Sequence, residues 1–350
     1  MNINEKIKEV EKILEGKDIA IAFSGGADST LVAYLAKKVA KNVLAIAFNN
    51  EIMPSNFLIN LKKIAESIDI PLEIIDENFL ELESFRENNS KRCYICRKTM
   101  YSEIKEEAHE KGFEIIVDGT NISDLLEDRP GILVNYENNI LSPLVNAGIE
   151  KEEVISFLED NNIFYSKSTT CLATRIKVGE EITGKKINRI KYAEDLIKNI
   201  TNDETVRVRD IDDTAQIEVK DIEKLLNKNT LKLIESELKA VNFKKITLDI
   251  GTTSREKKEI LIYKPCKDEA NKIMFENELP YNINILPTCE ELENMGKVKC
   301  SEKMGVAMID IDGSNITLFK NGKIVARKVK NKEEAQNILI KVLPLIRRKL

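Results

Sequence analysis

An α/β fold built on a doubly wound parallel sheet is what this chain predicts, and two observations predict it. Short apolar runs at residues 18–23, 42–48, 71–75 and 113–117 alternate with amphipathic helical stretches, the pattern that winds a parallel sheet. Two loops rich in glycine and small polar residues each leave the carboxyl end of a predicted strand, where such sheets bind ligands.

Taken in order, residues 5–15 form an opening helix that Gly16 stops. Strand one runs into Ser24-Gly25-Gly26-Ala27-Asp28-Ser29-Thr30, and a helix continues to about residue 39. Strand two is followed by a helix that Ser55 caps and that runs to about residue 67, then by strand three. A helix over residues 98–111, with its start near Cys93, ends at Gly112, and strand four leads into Asp118-Gly119-Thr120-Asn121. Residues 183–200 read as a helix opening a small α+β unit, with strands at 205–209, 215–219 and 245–250 and helices within 222–241. Beyond it come strands 306–311, 316–320 and 323–329 and a helix from about residue 333. Asp312-Gly313 and Asn321-Gly322 between these strands are hairpin signals. The expected domains are therefore 1–182, 183–257 and 258–350, the last a β-hairpin/helix extension that packs by itself.

Composition narrows the function classes. Acidic residues (59) outnumber basic ones (54), so the net charge of −5 gives no general attraction to nucleic acid or anionic lipid. No apolar run approaches the ~20 residues that span a bilayer, and the charged amphipathic start is unlike a signal peptide, so a cytoplasmic location is expected. The only histidine is His109, which excludes His-based triads and multi-His metal sites.

The loop from Ser24 to Thr30 is a phosphate cradle. Gly25 and Gly26 let the backbone turn its N–H groups onto an anion, and the helix that follows adds the positive end of its dipole. The hydroxyls of Ser24, Ser29 and Thr30 can add hydrogen bonds, and the Asp28 carboxylate can hold Mg²⁺ on a nucleotide. There is no Gly-Lys-Ser/Thr ending, so this is not a Walker A loop. It resembles the Ser-Gly-Gly-x-Asp-Ser loop of the PP-loop ATP pyrophosphatases, which have a HUP-like sheet. That resemblance implies cleavage of ATP between its α and β phosphates and adenylation of a substrate oxygen.

Cysteine supplies the second constellation. Cys93 and Cys96 stand at i, i+3 near a helix start, so their sulfurs share one face. Cys171 lies in a loop of small polar residues. Arg92, Arg97, Lys98 and Arg175 flank these three and are expected to favour thiolate over thiol. A structural zinc completed by a fourth group, or unligated thiols, are the alternatives to a catalytic metal group.

With these residues in hand the chain resembles the LarE family of ATP-dependent sulfur transferases. The similarity is carried by Arg92-Cys93-x-x-Cys96, Asp118-Gly119-Thr120-Asn121, Asp128-Arg129-Pro130-Gly131, Ser142-Pro143-Leu144 through Gly148, and Cys171-Leu172-Ala173-Thr174-Arg175. It continues through Gly179-Glu180, Ile182-Thr183, Val206-Arg207-Val208-Arg209 and Ala215-Gln216-Ile217-Glu218-Val219 to Thr247-Leu248-Asp249, covering about residues 1–255. The resemblance implies adenylation of a carboxylate on a small pyridinium mononucleotide and replacement of the activated oxygen by sulfur, on the way to a nickel-pincer nucleotide. It implies that Ser24, Gly25, Gly26, Asp28, Ser29 and Thr30 hold pyrophosphate and Mg²⁺, and that Asp118, Gly119, Thr120 and Asn121 line the adenylate. Arg175, Arg207 and Arg209 would receive the substrate phosphate, and Glu194 would hold a second cation or position substrate. For Arg207 and Arg209 the simpler reading is a charged, solvent-facing strand.

In members with three cysteines, at the positions of Cys93, Cys96 and Cys171, the resemblance implies a [4Fe-4S] cluster with one iron open to take sulfide. In others a single sacrificial cysteine, at the position of Cys171, gives up its sulfur. Expected partners are the nucleotide-like carboxylate, sulfide or a sulfur-donor protein, and further copies of the chain as a homo-oligomer. Two other readings stand beside this one: thiolation of tRNA by a more distant branch of the PP-loop class, and a non-enzymatic nucleotide sensor with a structural metal. Cys266, Cys289 and Cys300 lack a Cys-x-x-Cys pair and read as buried or incidental thiols. Residues 258–350 lie beyond the resemblance, and an accessory role such as binding a sulfur donor is the expectation for them.

Overall fold

The computed structural model describes residues 2–167, 170–203, 205–251, 261–263 and 273–349. They divide into two units: Leu14–Gly119 with Ile155–Glu256, and Met1–Ile13 with Thr120–Val154 and Lys257–Leu350.

The first unit is built on β1 (Asp18–Ala22), β2 (Asn42–Asn49), β3 (Leu72–Asp76) and β4 (Ile115–Val117), a parallel sheet in the order β3-β2-β1-β4. Parallel neighbours on both edges of β1 and helices over the sheet leave Ile19, Ala20 and Ile21 with no exposed surface. That double burial is why β1 reads as an unbroken apolar run rather than an alternating one. The helix Ala27–Val39 buries residues all round its first turns, Leu31, Val32, Leu35 and Ala36 among them, whereas the helix Phe57–Ser67 buries one side, with Leu61, Ile64 and Ala65. Ser55 does not cap the second of them. Asn56 stands at that position, and the Ser55 hydroxyl instead donates to Asp195 at 2.5 Å.

Residues 183–256 lie in the same unit. The helix Gly184–Thr201, capped by Thr183, packs on a three-stranded sheet of β5 (Arg207–Ile211), β6 (Thr214–Glu218) and β7 (Lys245–Leu248). Its attachment is ionic. Arg189, 5% exposed, donates to both carboxylate oxygens of Asp210 at 2.7 Å and to Asp213 at 2.8 Å, and its guanidinium lies 4.6 Å over the Phe243 ring.

The second unit carries a six-stranded antiparallel sheet in the order β10-β11-β12-β13-β9-β8. Its strands are β8 (Leu261–Tyr263), β9 (Ile273–Glu278), β10 (Val298–Ser301), β11 (Val306–Ile311), β12 (Ser314–Phe319) and β13 (Lys323–Val329). The expected three strands and helix are all there, and both hairpins turn at the predicted dipeptides. The expectation is nonetheless corrected twice. Three strands and the helix Ile285–Leu292 were not foreseen, because β8 and β10 are only three and four residues long and Pro287 breaks the helical pattern. Nor does the segment pack by itself: Ile122, Leu125, Ile132 and Val145 enter the same core as Phe275, Leu292, Leu318 and Val342. Among the described residues no helix is long and apolar enough to cross a membrane.

The cysteines of this unit require a third correction. Cys289, on the helix, and Cys300, on β10, are joined as a disulfide with Cα atoms 6.4 Å apart, rather than lying as separate thiols. Cys266 lies outside the described residues.

Candidate active site

The glycine-rich loop leaves the carboxyl end of β1. Gly25 has φ +69°, a region that side-chain-bearing residues disfavour, and a Cβ there would meet Ile64 Cδ1 at 3.1 Å. Gly26 then precedes the helix Ala27–Val39, whose first intrahelical bond runs from Thr30 N–H to Gly26 O at 2.9 Å. The loop is braced from within: the Ser29 hydroxyl donates to Gly26 O at 3.2 Å and accepts from Ser24 N–H at 3.3 Å. From outside, Ser166 N–H donates to Gly25 O at 2.8 Å. A turn held in this way brings the positive end of a four-turn helix to the end of β1, the arrangement that binds phosphate. Ser24 is exposed and Asp28 half-buried there, whereas Ser29 and Thr30 are enclosed; the Thr30 hydroxyl has no hydrogen-bond partner.

The second loop meets the first through one residue. A Cβ on Gly119 would lie 2.6 Å from Ser29 N and 2.8 Å from the Asp28 carbonyl carbon, so only glycine permits the contact. Asp118, 3% exposed, accepts hydrogen bonds from Arg97 and from Tyr101 Oη, the latter at 3.0 Å. Thr120 and Asn121 belong to the other unit. There Asn121 closes a capping box with Asp124, and Asn135 donates to Thr120 Oγ1 at 3.2 Å.

Arg97 follows Cys96 on the helix Arg92–Glu110, so its bond to Asp118 links the cysteines to the nucleotide loops. Cys93 and Cys96 occupy the first turns of that helix. Cys171 precedes the 3-10 turn Leu172–Arg175, and Leu172 N–H fastens that turn to Ile52 O at 2.8 Å, just past the carboxyl end of β2. All three are free cysteines, Cys93 exposed and the other two half-buried.

Two residues join the cysteine segments: Arg92, which the sequence reading placed beside the thiols, and Asn88, which it did not single out. Arg92, 9% exposed, donates to Asn88 Oδ1 and to Ala173 O at 3.2 Å, and lies 3.7 Å from Cys93 Sγ. Asn88, fully buried at φ +51°, donates to the carbonyls of Lys177 and Glu180, each at 2.8 Å. The signal for Asn88 was the Asn88-Asn89 pair before a helix start, since Asn tolerates the left-handed region better than most residues.

The expected thiolates are corrected at Cys96 and Cys171. Burial pushes the Cys96 thiol up, mutual repulsion with Cys171 and Cys93 adds to it, and Arg92 and Arg97 recover only part. Burial also raises Cys171, with Cys93 adding to the shift against Arg92, Thr174 and Arg175. Three thiolates this close are disfavoured unless a cation joins them. Among the described residues no three His, Cys, Asp or Glu side chains are placed to hold a metal ion.

Arg175 is 4% exposed and its Nε donates to Glu194 at 2.8 Å, while its terminal nitrogens donate to Thr174 at 2.7 Å and Thr170 at 3.2 Å. Glu194 also accepts from Val208 N–H at 3.2 Å. Arg207 and Arg209 alternate with buried Val208 along β5, and Arg209 pairs with Glu218 of β6 at 3.2 Å. The Arg175–Glu194 pair is buried on both sides, so removing one partner alone is costly. Glu194→Ala leaves a buried guanidinium without its anion and is expected to cost about 3–5 kcal/mol in urea unfolding, whereas Arg175→Met with Glu194→Leu recovers most of that loss.

A family model described as the PP-loop domain matches residues 1–133. An uncharacterized protein of Methanocaldococcus jannaschii is 30% identical over 253 residues, which cover 71% of this chain and 93% of that protein. One from Synechocystis is 31% identical over 255 residues, 71% of this chain and 92% of its own length. The pyridinium-3,5-bisthiocarboxylic acid mononucleotide synthase of Lactiplantibacillus plantarum is 27% identical over 239 residues, 67% of this chain and 86% of the synthase. The chain belongs to the LarE-like PP-loop sulfurtransferases. It is accordingly an ATP-utilising enzyme. For this LarE-like sulfurtransferase the matches to the Methanocaldococcus and Synechocystis proteins leave 29% of the chain uncovered.

Proposed function

We propose that this enzyme adenylates a carboxylate on a small nucleotide-like substrate, releasing pyrophosphate, and replaces the activated oxygen with sulfur delivered at Cys93, Cys96 and Cys171. One observation carries the reading: the Arg97–Asp118 bond ties the cysteine-bearing helix to the loop that packs on Asp28 and Ser29. In the first step a carboxylate oxygen attacks the α-phosphorus of ATP, and the bond to the β-phosphate breaks. Ser24, Gly25, Gly26, Ser29 and Thr30 form the loop whose amides take the departing charge, and Asp28 would hold Mg²⁺ on it. Asp118, Gly119, Thr120 and Asn121 would line the adenylate. Arg175, its guanidinium fixed by Glu194, would receive the substrate phosphate with Arg207 and Arg209.

Three free thiols on two tethered segments are the donor chemistry of a [4Fe-4S] cluster, and a cationic core would offset the burial, and the lesser mutual repulsion, that raise Cys96 and Cys171. Bound there, the cluster would offer one iron without a protein ligand as a place for sulfide. Residues 1–182 would then supply ATP and sulfur chemistry, 183–257 substrate binding and self-association, and 258–350 an accessory role.

Protein purified without oxygen is expected to be brown with about four irons per chain, and Cys93→Ala, Cys96→Ala or Cys171→Ala to be folded but nearly iron-free, with the unfolding midpoint of wild type stripped of iron. It should release pyrophosphate from ATP only with a pyridinium mononucleotide carboxylate present. Iron-free protein whose Cys171 becomes dehydroalanine after one turnover would overturn the cluster in favour of sacrifice of that cysteine.

A further inference from the structure

The Cys289–Cys300 pair stands outside everything assigned above. It lies in the six-stranded sheet unit, at that sheet's edge, since β10 pairs only with β11. Its two sulfurs are unequal. Cys300 is exposed on β10, while Cys289 is 4% exposed in the helix Ile285–Leu292 behind it. An accessible sulfur backed by a buried partner is the arrangement in which an incoming sulfur nucleophile or electrophile meets one cysteine and the other resolves the adduct.

The chemistry of the proposed reaction gives such a pair a task. An open iron takes sulfur as sulfide, at oxidation state −2, whereas a persulfide carries its outer sulfur at the oxidation state of the element. Converting one to the other needs two electrons. Two neighbouring thiols supply two electrons when they become a disulfide, the state seen here.

We propose that Cys300 and Cys289 form a sulfur-reducing relay, which takes the outer sulfur of a persulfide donor and releases it as hydrosulfide. The relay rests on the sulfur-transfer reading given above. The Cys300 thiolate attacks the outer sulfur of R–S–SH; a bond forms to Cys300, the donor S–S bond breaks, and the donor leaves as R–S⁻. The Cys289 thiolate then attacks the Cys300 sulfur. The Cys289–Cys300 bond forms, the bond to the outer sulfur breaks, and HS⁻ departs with the electron pair. The dithiol is oxidised by two electrons and the transferred sulfur reduced by two. An external dithiol closes the cycle by attacking the exposed Cys300 sulfur and displacing Cys289.

The test uses full-length protein, reduced and freed of reductant, with glutathione persulfide as the sulfur source. Lys297 and Lys299 lie between the two cysteines, so trypsin separates them for mass mapping. Wild type is expected to release about one hydrosulfide per chain more than a Cys289→Ser/Cys300→Ser double variant, and to gain the 289–300 disulfide. Cys289→Ser should stop after the first step, with an extra sulfur on the peptide holding Cys300 and no excess hydrosulfide. Cys300→Ser should show neither product. Release equal in all four proteins, or an extra sulfur found on Cys289 rather than Cys300, overturns the relay. Pyrophosphate release from ATP, with inorganic sulfide and a pyridinium mononucleotide carboxylate supplied, is read in the same samples. Intact pyrophosphate release with a failed relay overturns this proposal alone, whereas loss of it in wild type overturns the reading on which the relay rests.

Discussion

Replacing Gly119 with alanine is expected to lower ATP-dependent pyrophosphate release by about 100-fold or more while leaving a folded protein. The added Cβ would stand 2.6 Å from Ser29 N and 2.8 Å from the Asp28 carbonyl carbon. Both are backbone atoms at the start of a helix, so no side-chain rotation relieves the clash. Overpacking of this sort costs about 1–3 kcal/mol in stability, which a domain tolerates. Its effect on catalysis is larger, because the loop carrying Asp28 must shift, and a misplacement near 1 Å costs on the order of 100-fold where reacting groups are held in line. Gly184→Ala is the matched control. Its Cβ would meet only Leu80 Cδ1, at an ordinary 3.7 Å, and both rate and unfolding midpoint should stay as in wild type. Turnover within threefold of wild type in Gly119→Ala would show that the two loops need not touch for ATP cleavage.

That contact also marks how far the sequence could be read. The parallel sheet was legible because double burial writes an unbroken apolar run into β1 and β2, and the phosphate loop because Gly25 must take a positive φ. That Gly119 belonged to a loop past strand four was legible too; that it presses on Ser29 was not, since the two are joined only through strand pairing. The three cysteines could be named from spacing and resemblance, yet the protonation of Cys96 and Cys171 was misjudged. Flanking arginines are visible in a sequence, whereas burial and the repulsion among Cys93, Cys96 and Cys171 arise only once the fold gathers them. Asn88 was overlooked, and the tie made by Arg92 unforeseen, for a related reason: their partners are the carbonyls of Lys177, Glu180 and Ala173, some 80 to 90 residues away. Cys289 and Cys300, 11 residues apart, match no short cysteine motif, and it is the turn between a helix and an edge strand that pairs them.

Removing residues 257–350 is expected to unfold the 120–154 segment rather than simply strip away an accessory. Ile122, Leu125, Ile132 and Val145 are each less than a tenth exposed, and the core that covers them is supplied by the deleted strands and helices. Uncovering four such side chains forfeits roughly 1.5–3 kcal/mol apiece, a sum on the order of 6–12 kcal/mol that matches the whole stability of an ordinary domain. Polar ties would go as well: Tyr281 Oη donates to Leu125 O at 2.8 Å, Arg348 pairs with Asp128 at 2.5 Å, and Arg347 lies 3.8 Å over the Tyr136 ring. The truncated chain should therefore be cut by protease within 120–154 at concentrations that spare the full-length protein. Hydrogen exchange should collapse there while β1 and β2 stay protected. Because Thr120 and Asn121 open that segment, pyrophosphate release should fall with it, and the loss would report on folding, not on a missing activity of the extension. Replacing Ile122 and Leu125 with glutamine in the truncated chain separates the two causes. If exposed apolar surface is what aggregates the truncation, these changes should restore its solubility without restoring pyrophosphate release. A truncated chain that keeps both protease resistance and turnover would instead mean that 120–154 folds without the C-terminal sheet.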